Sequence, residues 1–142
     1  MSMLVFRHVH RVTYSECTLG NHVYYGRFLD LLEKARGEFF RHLGQPFLLW
    51  QDRDTLFPAV ECRLRFIAAA RYDDELTIEI WVSAMERVRL SFGYRIVNQR
   101  GAEILRATTE HACASVADKL QRIPGELRAA LLPYLRLEST SA

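Results

Sequence analysis

Residues 14–43 read Y-S-E-C-T-L-G-N-H-V-Y-Y-G-R-F-L-D-L-L-E-K-A-R-G-E-F-F-R-H-L, a polar, glycine-containing loop followed by one long helical pattern. In the second part, apolar side chains recur at separations of one, three or four residues, as on one face of an α-helix. They are Tyr24, Phe28, Leu31, Leu32, Ala35, Phe39 and Leu43. Gly44 and Pro46 predict the end of this helix. No other segment combines this length and periodicity, so the helix is expected to lie at the centre of the fold.

The apolar face of the predicted helix is wide. At about 100° per residue, it covers roughly half of the circumference once Tyr25, Leu29 and Phe40 are included. A sheet wrapped around the helix, with a second chain or a substrate over the remainder, would cover a face of this width.

The rest of the chain predicts strands and one further helix. Alternating apolar and polar residues indicate strands at about residues 4–14, 59–69, 76–85, 87–99 and 103–117. Short polar breaks predict that the last four form an antiparallel meander joined by hairpins, the first at residues 72–74. Ile123-Pro124-Gly125-Glu126 begins a second helix that ends near Pro133, and residues 138–142 are expected to fray. The fold class is therefore α+β, a long central helix wrapped by a curved antiparallel sheet of about five strands.

Length and composition limit the possible functions. The 142 residues are expected to form one domain, residues 1–142. A net charge of +2 without a run of basic residues argues against nucleic acid as a partner. Three widely spaced cysteines suggest neither a disulfide framework nor a zinc site, and a reducing compartment fits them best. Without an apolar stretch of membrane-spanning length or a signal peptide, a cytoplasmic location is expected.

Three motifs carry a resemblance to a known family. They are E-K-A-R at residues 33–36, R-F-I-A-A-A-R-Y-D-D-E-L at residues 65–76, and D-K-L-Q-R-I-P at residues 118–124. Together they resemble the 4-hydroxybenzoyl-CoA thioesterase family of hot-dog acyl-CoA thioesterases, which includes the Tol-Pal-associated acyl-CoA thioesterases. The resemblance implies a hot-dog fold and hydrolysis of acyl thioesters of coenzyme A or acyl carrier protein, without metal or bound cofactor. An open sheet and a half-covered helix leave an edge and a face to bury, so a homodimer or homotetramer is expected. The resemblance implies that its active sites lie between subunits at the start of the central helix.

The loop before the helix departs from the family pattern. Family members usually carry D-x-D there, and the second aspartate is the acid associated with hydrolysis. Ungapped alignment from E-K-A-R places Glu16 at the first aspartate and Thr18 at the second, and Ala69 stands where proline is usual. The loop E-C-T-L-G-N-H-V-Y, residues 16–24, also resembles thioesterases of enediyne polyketide pathways, which lack that acid and use an arginine matching Arg36. Two alternatives therefore remain: a polyketide or polyene product-release thioesterase, and a non-catalytic acyl-thioester binding protein.

Thioester hydrolysis requires donors for the carbonyl oxygen and a means of activating water. The backbone N–H groups of Tyr24, Tyr25 and Gly26 lie at the predicted helix start, where partial positive charge favours an oxyanion. Glu16 is the one carboxylate of the loop. Partial burial in the pocket would raise its pKa and suit it to act as a general base, whereas an outward side chain would pair with Arg11 or remain solvated.

The remaining candidates divide between the loop and the helix. Thr18, Asn21 and His22 are placed to hold a water molecule, with His22 as a possible base at neutral pH. Arg36 falls inside the apolar arc, where a lone guanidinium is costly, so it either pairs with Glu33 or borders the acyl pocket. The predicted catalytic residues are Glu16, Thr18, His22, Tyr25 and Arg36. The predicted substrate-binding residues are Asn21, Tyr24, Leu29, Glu33 and Phe66.

Overall fold

The computed structural model describes residues 4–137. The helices are α1 (Arg27–His42), α2 (Phe47–Asp52) and α3 (Gly125–Leu131), with single 3₁₀ turns at Tyr14–Glu16 and Leu132–Tyr134. The strands are β1 (Phe6–Arg11), β2 (Cys17–Thr18), β3 (His22–Val23), β4 (Ala59–Phe66), β5 (Glu75–Met85), β6 (Arg89–Val97) and β7 (Glu103–Ala112). The frayed end predicted for residues 138–142 lies outside the described residues.

Five strands form one antiparallel sheet in the order β1-β5-β6-β7-β4. The predicted meander is correct for β5, β6 and β7 but wrong for β4, which pairs with β7, where Cys62 lies opposite Thr109. The free edge of β5 is instead taken by β1, where Phe6 lies opposite Ile80. Residues 72–74 are therefore part of a crossover between the two ends of the sheet and not a hairpin.

Helix α1 packs on the inner face of this sheet. Leu32, Ala35 and Phe39 have no exposed surface, and the same holds for Ile78 and Ile80 on β5. Each of the larger side chains, the leucine, isoleucines and phenylalanine, contributes about 1.5–3 kcal/mol by leaving water. The α+β architecture predicted from the 3.6-residue and two-residue periodicities is confirmed, because these periodicities place the apolar side chains of the helix and of the strands on facing surfaces.

The end of α1 follows the predicted signals. Gly44 adopts a φ of 73°, a left-handed conformation that glycine takes without steric cost. The N–H of Gly44 donates to the carbonyl of Arg41, and that of Gln45 donates to the carbonyl of Phe40. Pro46 then leads into α2, so the polypeptide turns sharply beneath the second half of α1. This turn brings Phe47 into contact with Phe40, with ring centroids 4.7 Å apart.

Between residues 4 and 137, no helix combines the length and apolar character needed to cross a membrane. Cys17, Cys62 and Cys113 are all free thiols.

Candidate active site

The start of α1 leaves two backbone donors without a partner. Gly26 precedes the helix and makes no side-chain cap hydrogen bond. The Tyr24 N–H was also predicted to be a donor to the substrate, but it donates to the Glu16 carbonyl at 2.9 Å and is unavailable. The Arg27 N–H donates to the Tyr24 carbonyl. Within residues 4–137, the N–H groups of Tyr25 and Gly26 make no hydrogen bond. They therefore lie at the positive end of the helix ready for an oxyanion.

A cavity of about 480 Å³ adjoins this helix start. Five of the predicted site residues meet in its wall: Thr18, His22, Tyr24, Tyr25 and Phe66. The rest of the wall is formed by Val23, Phe28 and residues 67–70, and no aspartate or glutamate is among these residues. We call this space the helix-start cavity.

Aromatic rings form much of that wall. Tyr24 and Tyr25 lie with ring centroids 4.5 Å apart. The edge-to-face contacts of Phe66 reach Tyr25 at 6.4 Å and Phe28 at 5.8 Å. These rings join the end of β4 to the start of α1 and give the cavity an apolar side suited to an acyl group.

Polar side chains of the wall come from the short β2–β3 hairpin, in which Thr18 pairs with His22. The Thr18 hydroxyl lies 3.4 Å from the His22 carbonyl and 3.3 Å from the Leu19 carbonyl, so it donates within the hairpin and keeps its lone pairs for a water molecule. The His22 side chain is exposed. A threonine hydroxyl and an imidazole thus occupy the side of the cavity where the family pattern has a carboxylate.

Glu16 does not line the helix-start cavity. Its Oε1 accepts the Thr13 N–H at 2.7 Å and lies 2.9 Å from Nε2 of His10, so the predicted pairing with Arg11 is wrong. Burial alone would raise the pKa of Glu16, but the Thr13 N–H and His10 outweigh burial and lower the pKa below its usual value. The alternative in which Glu16 reaches the pocket with a raised pKa is therefore wrong as well.

Asn21 supports the loop from outside the cavity. It adopts a φ of 62°, which asparagine tolerates better than most residues. Its Oδ1 accepts the Tyr72 N–H at 2.9 Å. This bond holds the crossover after β4 against the loop, and within the crossover Asp74 accepts the Arg71 N–H.

Leu29, Glu33 and Arg36 lie farther along α1. With Tyr25 and Phe40 they are spaced by four, four, three and four residues and share one stripe of the helix. Tyr25 is 63% exposed and Leu29 is 45% exposed, so the sheet leaves this stripe partly open. The predicted Glu33–Arg36 ion pair is wrong, because no carboxylate of residues 4–137 lies within 4.0 Å of the Arg36 guanidinium.

Arg36 instead begins a chain of hydrogen bonds that runs through the sheet. Its Nη1 donates to the Tyr94 hydroxyl at 2.9 Å. That hydroxyl lies 2.7 Å from Oγ1 of Thr109, which lies 2.8 Å from Nε2 of His111. Nδ1 of His111 is 3.0 Å from the Phe57 carbonyl.

The direction of every bond in this chain follows from its two ends. A carbonyl only accepts, so Nδ1 of His111 carries a proton and donates to it. Burial, reinforced by the charge of Arg36, lowers the pKa of His111 to about 4, so the ring is neutral and Nε2 accepts from Thr109. Tyr94 must then donate to Thr109 and accept from Arg36. None of Tyr94, Thr109 and His111 was predicted from the sequence. The available signal was the polar residues at alternate, inward positions of β7.

A second cavity of about 270 Å³ lies beside the Arg36 end of this chain. Its polar wall includes Arg36, Glu33 and His111. Its apolar wall is formed mainly by aromatic side chains from α1, α2 and the sheet: Phe40, Phe47, Trp50, Phe57 and Phe92. We call it the distal cavity. Within the described residues, no group of three or more histidine, cysteine, aspartate or glutamate side chains is arranged to hold a metal ion.

Comparison with known proteins identifies the class. The model of the thioesterase superfamily matches residues 20–105, and the chain belongs to this family. The acyl-CoA thioesterase YbgC of Haemophilus influenzae is 30% identical over 123 residues, which cover 84% of this chain and 89% of that protein. The acyl-CoA thioester hydrolase YbgC of Escherichia coli O157:H7 is 32% identical over 100 residues, covering 69% and 73%.

Solved structures agree on the fold. A protein of Thermus thermophilus superposes with a TM-score of 0.83 at 28% identity, covering 92% of this chain and 98% of that one. The dynemicin thioesterase, described in complex with a polyene, superposes with a TM-score of 0.87 at 20% identity, covering 94% and 99%. The predicted hot-dog fold and thioesterase family are therefore confirmed, and membership of this family supports hydrolysis of acyl thioesters as the activity.

Proposed function

We propose that this protein hydrolyses acyl-CoA thioesters in the helix-start cavity. The observation that carries the proposal is the pair of unpartnered N–H groups of Tyr25 and Gly26 at the positive end of α1, beside a cavity with one apolar and one polar side. Preorganised donors of this kind stabilise the oxyanion that forms when a thioester carbonyl is attacked. The names of the YbgC relatives support the same substrate class.

In the proposed reaction, a water molecule held by the Thr18 hydroxyl attacks the thioester carbonyl carbon. His22 takes a proton from that water, and the oxyanion accepts hydrogen bonds from the Tyr25 and Gly26 N–H groups. Collapse of the tetrahedral intermediate breaks the carbon–sulfur bond, and the leaving thiolate receives the proton from His22. The products are the free acid and coenzyme A. Glu16 and Asn21 act as positioning residues, because their side chains are held by the loop and the crossover.

The acyl chain is proposed to follow the open stripe of α1. Tyr24 and Phe66 border its first part, Leu29 follows Tyr25 along the stripe, and Glu33 lines the distal cavity. The exposure of Leu29 supports this path, since an apolar side chain left open by the sheet is available to a ligand.

A second candidate is a thioesterase that releases a polyketide or polyene from a carrier protein. The wall of the helix-start cavity contains no carboxylate, and this feature favours the candidate because the resembling enediyne-pathway loop also lacks one. The same observation leaves a non-catalytic acyl-thioester binding protein as a third candidate. Thiol release separates all three.

The active assembly is proposed to be a homodimer, or a homotetramer of two dimers. Strand β4 lies at the edge of the sheet, and all of its residues except Leu64 are exposed. An exposed edge strand with Val60, Phe66 and the neighbouring Ile67 available is a surface that a second copy would cover. Such pairing would also bring the partner close to the helix-start cavity, since Phe66 and Ile67 line it.

Residues 1–142 are proposed to act as one domain in the cytoplasm. The three free thiols fit a reducing compartment. The relatives match over most of their own length, and this supports a single functional unit.

The deciding experiment measures thiol release from short, long and aromatic acyl-CoA esters and from the corresponding acyl carrier protein thioesters. The proposal is supported if the coenzyme A esters are hydrolysed and the carrier-protein esters are hydrolysed no faster. Selective turnover of carrier-protein esters would replace it with the product-release function. Saturable binding of acyl-CoA without turnover of either series would identify a binding protein.

A further inference from the structure

The distal cavity lies well along α1 from the proposed reaction site, and the inference drawn from it rests on the proposed function. Tyr25 and Arg36 are eleven residues apart on the same stripe. At about 1.5 Å of rise per residue, the Arg36 side chain therefore lies roughly 16 Å along the helix from the oxyanion donors. A group bound beside Arg36 would be the far end of an acyl chain and not its reacting carbonyl.

The polar wall of the distal cavity contains N–H donors of Arg36 that make no hydrogen bond within residues 4–137. A guanidinium carries five N–H donors, and the one hydrogen bond that Arg36 makes within residues 4–137 is the one to Tyr94. The Tyr94 hydroxyl donates its hydrogen bond to Thr109, and the chain ends at the Phe57 carbonyl. The chain therefore orients Arg36 without using its other donors, and a half-buried guanidinium in this state favours an oxygen acceptor.

The charges around the distal cavity determine which oxygen-containing group of a ligand would bind beside Arg36. His111 is neutral at physiological pH because of its lowered pKa, so Arg36 supplies the positive charge of the wall. Glu33 lines the same cavity with a carboxylate that is not paired with Arg36. A carboxylate on the ligand would be attracted by Arg36 but repelled by Glu33. A hydroxyl oxygen can accept from Arg36 and donate to Glu33, and a keto oxygen can accept without adding charge.

The aromatic wall sets the shape of the bound group. Phe40, Phe57 and Phe92 surround the cavity with apolar surface, with Phe40 lying 6.0 Å from each of the other two rings. A cavity of about 270 Å³ with a mainly aromatic wall and a fixed donor fits a group that is apolar except for one polar atom.

We propose that the distal cavity is a specificity site for acyl chains that carry a neutral oxygen, a hydroxyl or keto group, near their far end. Arg36 is the specificity-determining residue, with Tyr94 and Thr109 as its positioning residues. Chains ending in methyl would leave the donors of Arg36 unpaired after the cavity water is displaced, and are therefore poorer substrates.

The test compares acyl-CoA esters of equal length that end in methyl or in hydroxyl, over a series of chain lengths. At the length that reaches Arg36, kcat/KM of the wild type is expected to be about ten-fold or more higher for the hydroxyl ester, the size of a hydrogen bond to a charged donor. For chains too short to reach, the ratio is expected to be near one.

Arg36→Met keeps the length and apolar stem of the side chain and removes the donors. It is expected to bring the hydroxyl-to-methyl ratio of kcat/KM close to one. Arg41→Met is the matched control: Arg41 lies on the same helix, is exposed and pairs with Glu38, so the ratio should be unchanged.

A binding measurement keeps the inference separate from catalysis. Non-hydrolysable S-alkyl coenzyme A thioethers ending in methyl or hydroxyl are titrated into the wild type and Arg36→Met by calorimetry. A preference for the hydroxyl thioether that disappears in Arg36→Met supports the specificity site even if no ester is hydrolysed. Equal affinity of the two thioethers for the wild type, or a preference that survives in Arg36→Met, would overturn the inference. Neither result bears on the proposed hydrolysis, which is tested by thiol release.

Discussion

The hydroxyl of Thr109 donates to Nε2 of His111 across 2.8 Å in the buried interior of the sheet. This contact requires the Nδ1–H tautomer of the imidazole, which is set by the hydrogen bond from Nδ1 to the Phe57 carbonyl. It also fixes Tyr94 as a donor to Thr109, and thereby leaves the Tyr94 oxygen to accept from Arg36. One threonine hydroxyl thus determines the direction of a hydrogen-bond chain that reaches from α1 to the beginning of β4.

Thr109→Val is expected to lower the free energy of unfolding by about 1–3 kcal/mol. Valine has nearly the shape of threonine, but it leaves the buried Tyr94 hydroxyl without an acceptor and Nε2 of His111 without a donor. Thr108→Val is the matched control, because Thr108 is the next residue of β7, points to the other face of the sheet and is not part of the chain. Urea denaturation measures both, and equal losses in the two variants would contradict the buried chain.

Acid is expected to destabilise the fold through His111. An unfolded histidine titrates near pH 6.5, whereas burial and Arg36 lower the pKa of His111 to about 4. Between these values the unfolded chain binds a proton that the folded chain does not, so the contribution of His111 is complete above about pH 6.5 and is lost as the pH falls towards 4. The loss amounts to about 3 kcal/mol.

His111→Asn removes this titration. The free energies of unfolding of wild type and variant should therefore converge as the pH falls from 7 to 4. Curves of His111→Asn and wild type that remain parallel would show that folding does not shift the pKa of His111.

The sequence predicted the central helix because its signal is local. Residues such as Phe28 and Leu32 repeat with the helical period, and Gly44 marks the end within the same segment. The position of β4 was not predictable in this way, since its alternation fits either neighbour and pairing with β7 depends on β1 occupying the edge of β5.

The candidate site likewise contains features set by local sequence and features set by long-range contacts. The donors at Tyr25 and Gly26 follow from helix geometry, so the loop and helix start were correctly expected to lie together. The need of Arg36 for a partner was also evident from its apolar neighbours. Its actual partner, Tyr94, is 58 residues away along the chain, and only the register between the helix and β6 brings the two together.

Glu16→Gln is expected to change kcat less than about three-fold, far below the ~10²-fold loss typical of removing a general acid or base. The carboxylate of Glu16 contacts Thr13 and His10 and does not line the helix-start cavity. Its lowered pKa means that Glu16 stabilises the fold above the usual carboxyl pKa and loses this effect as the pH falls through the folded value.

Thermal unfolding should therefore show Glu16→Gln less stable than the wild type at neutral pH, with the difference shrinking in acid. A kcat reduced by two orders of magnitude in a folded Glu16→Gln variant would show that Glu16 takes part in catalysis.

Thr18→Asp is expected to raise kcat on acyl-CoA esters by about ten-fold or more, because it places a carboxylate in a cavity wall that has none. The Thr18 side chain is exposed and belongs to a two-residue strand, so the fold should accept the change. Thr18→Asn is the control of equal shape without a base. Thiol release is measured for all three proteins, and equal rates in the Asp and Asn variants would show that the cavity does not position its water beside residue 18.

Tyr25→Pro tests the oxyanion donors directly. Tyr25 is the second residue of a turn closed by the hydrogen bond from the Arg27 N–H to the Tyr24 carbonyl, a position where proline is favoured. The substitution removes the Tyr25 N–H together with the ring, whereas Tyr25→Ala removes the ring alone. The kcat of Tyr25→Pro is expected to be about 10²-fold below that of Tyr25→Ala, the usual cost of losing one oxyanion donor. Circular dichroism and thermal unfolding establish that both variants are folded, and equal kcat values would place the carbonyl away from the start of α1.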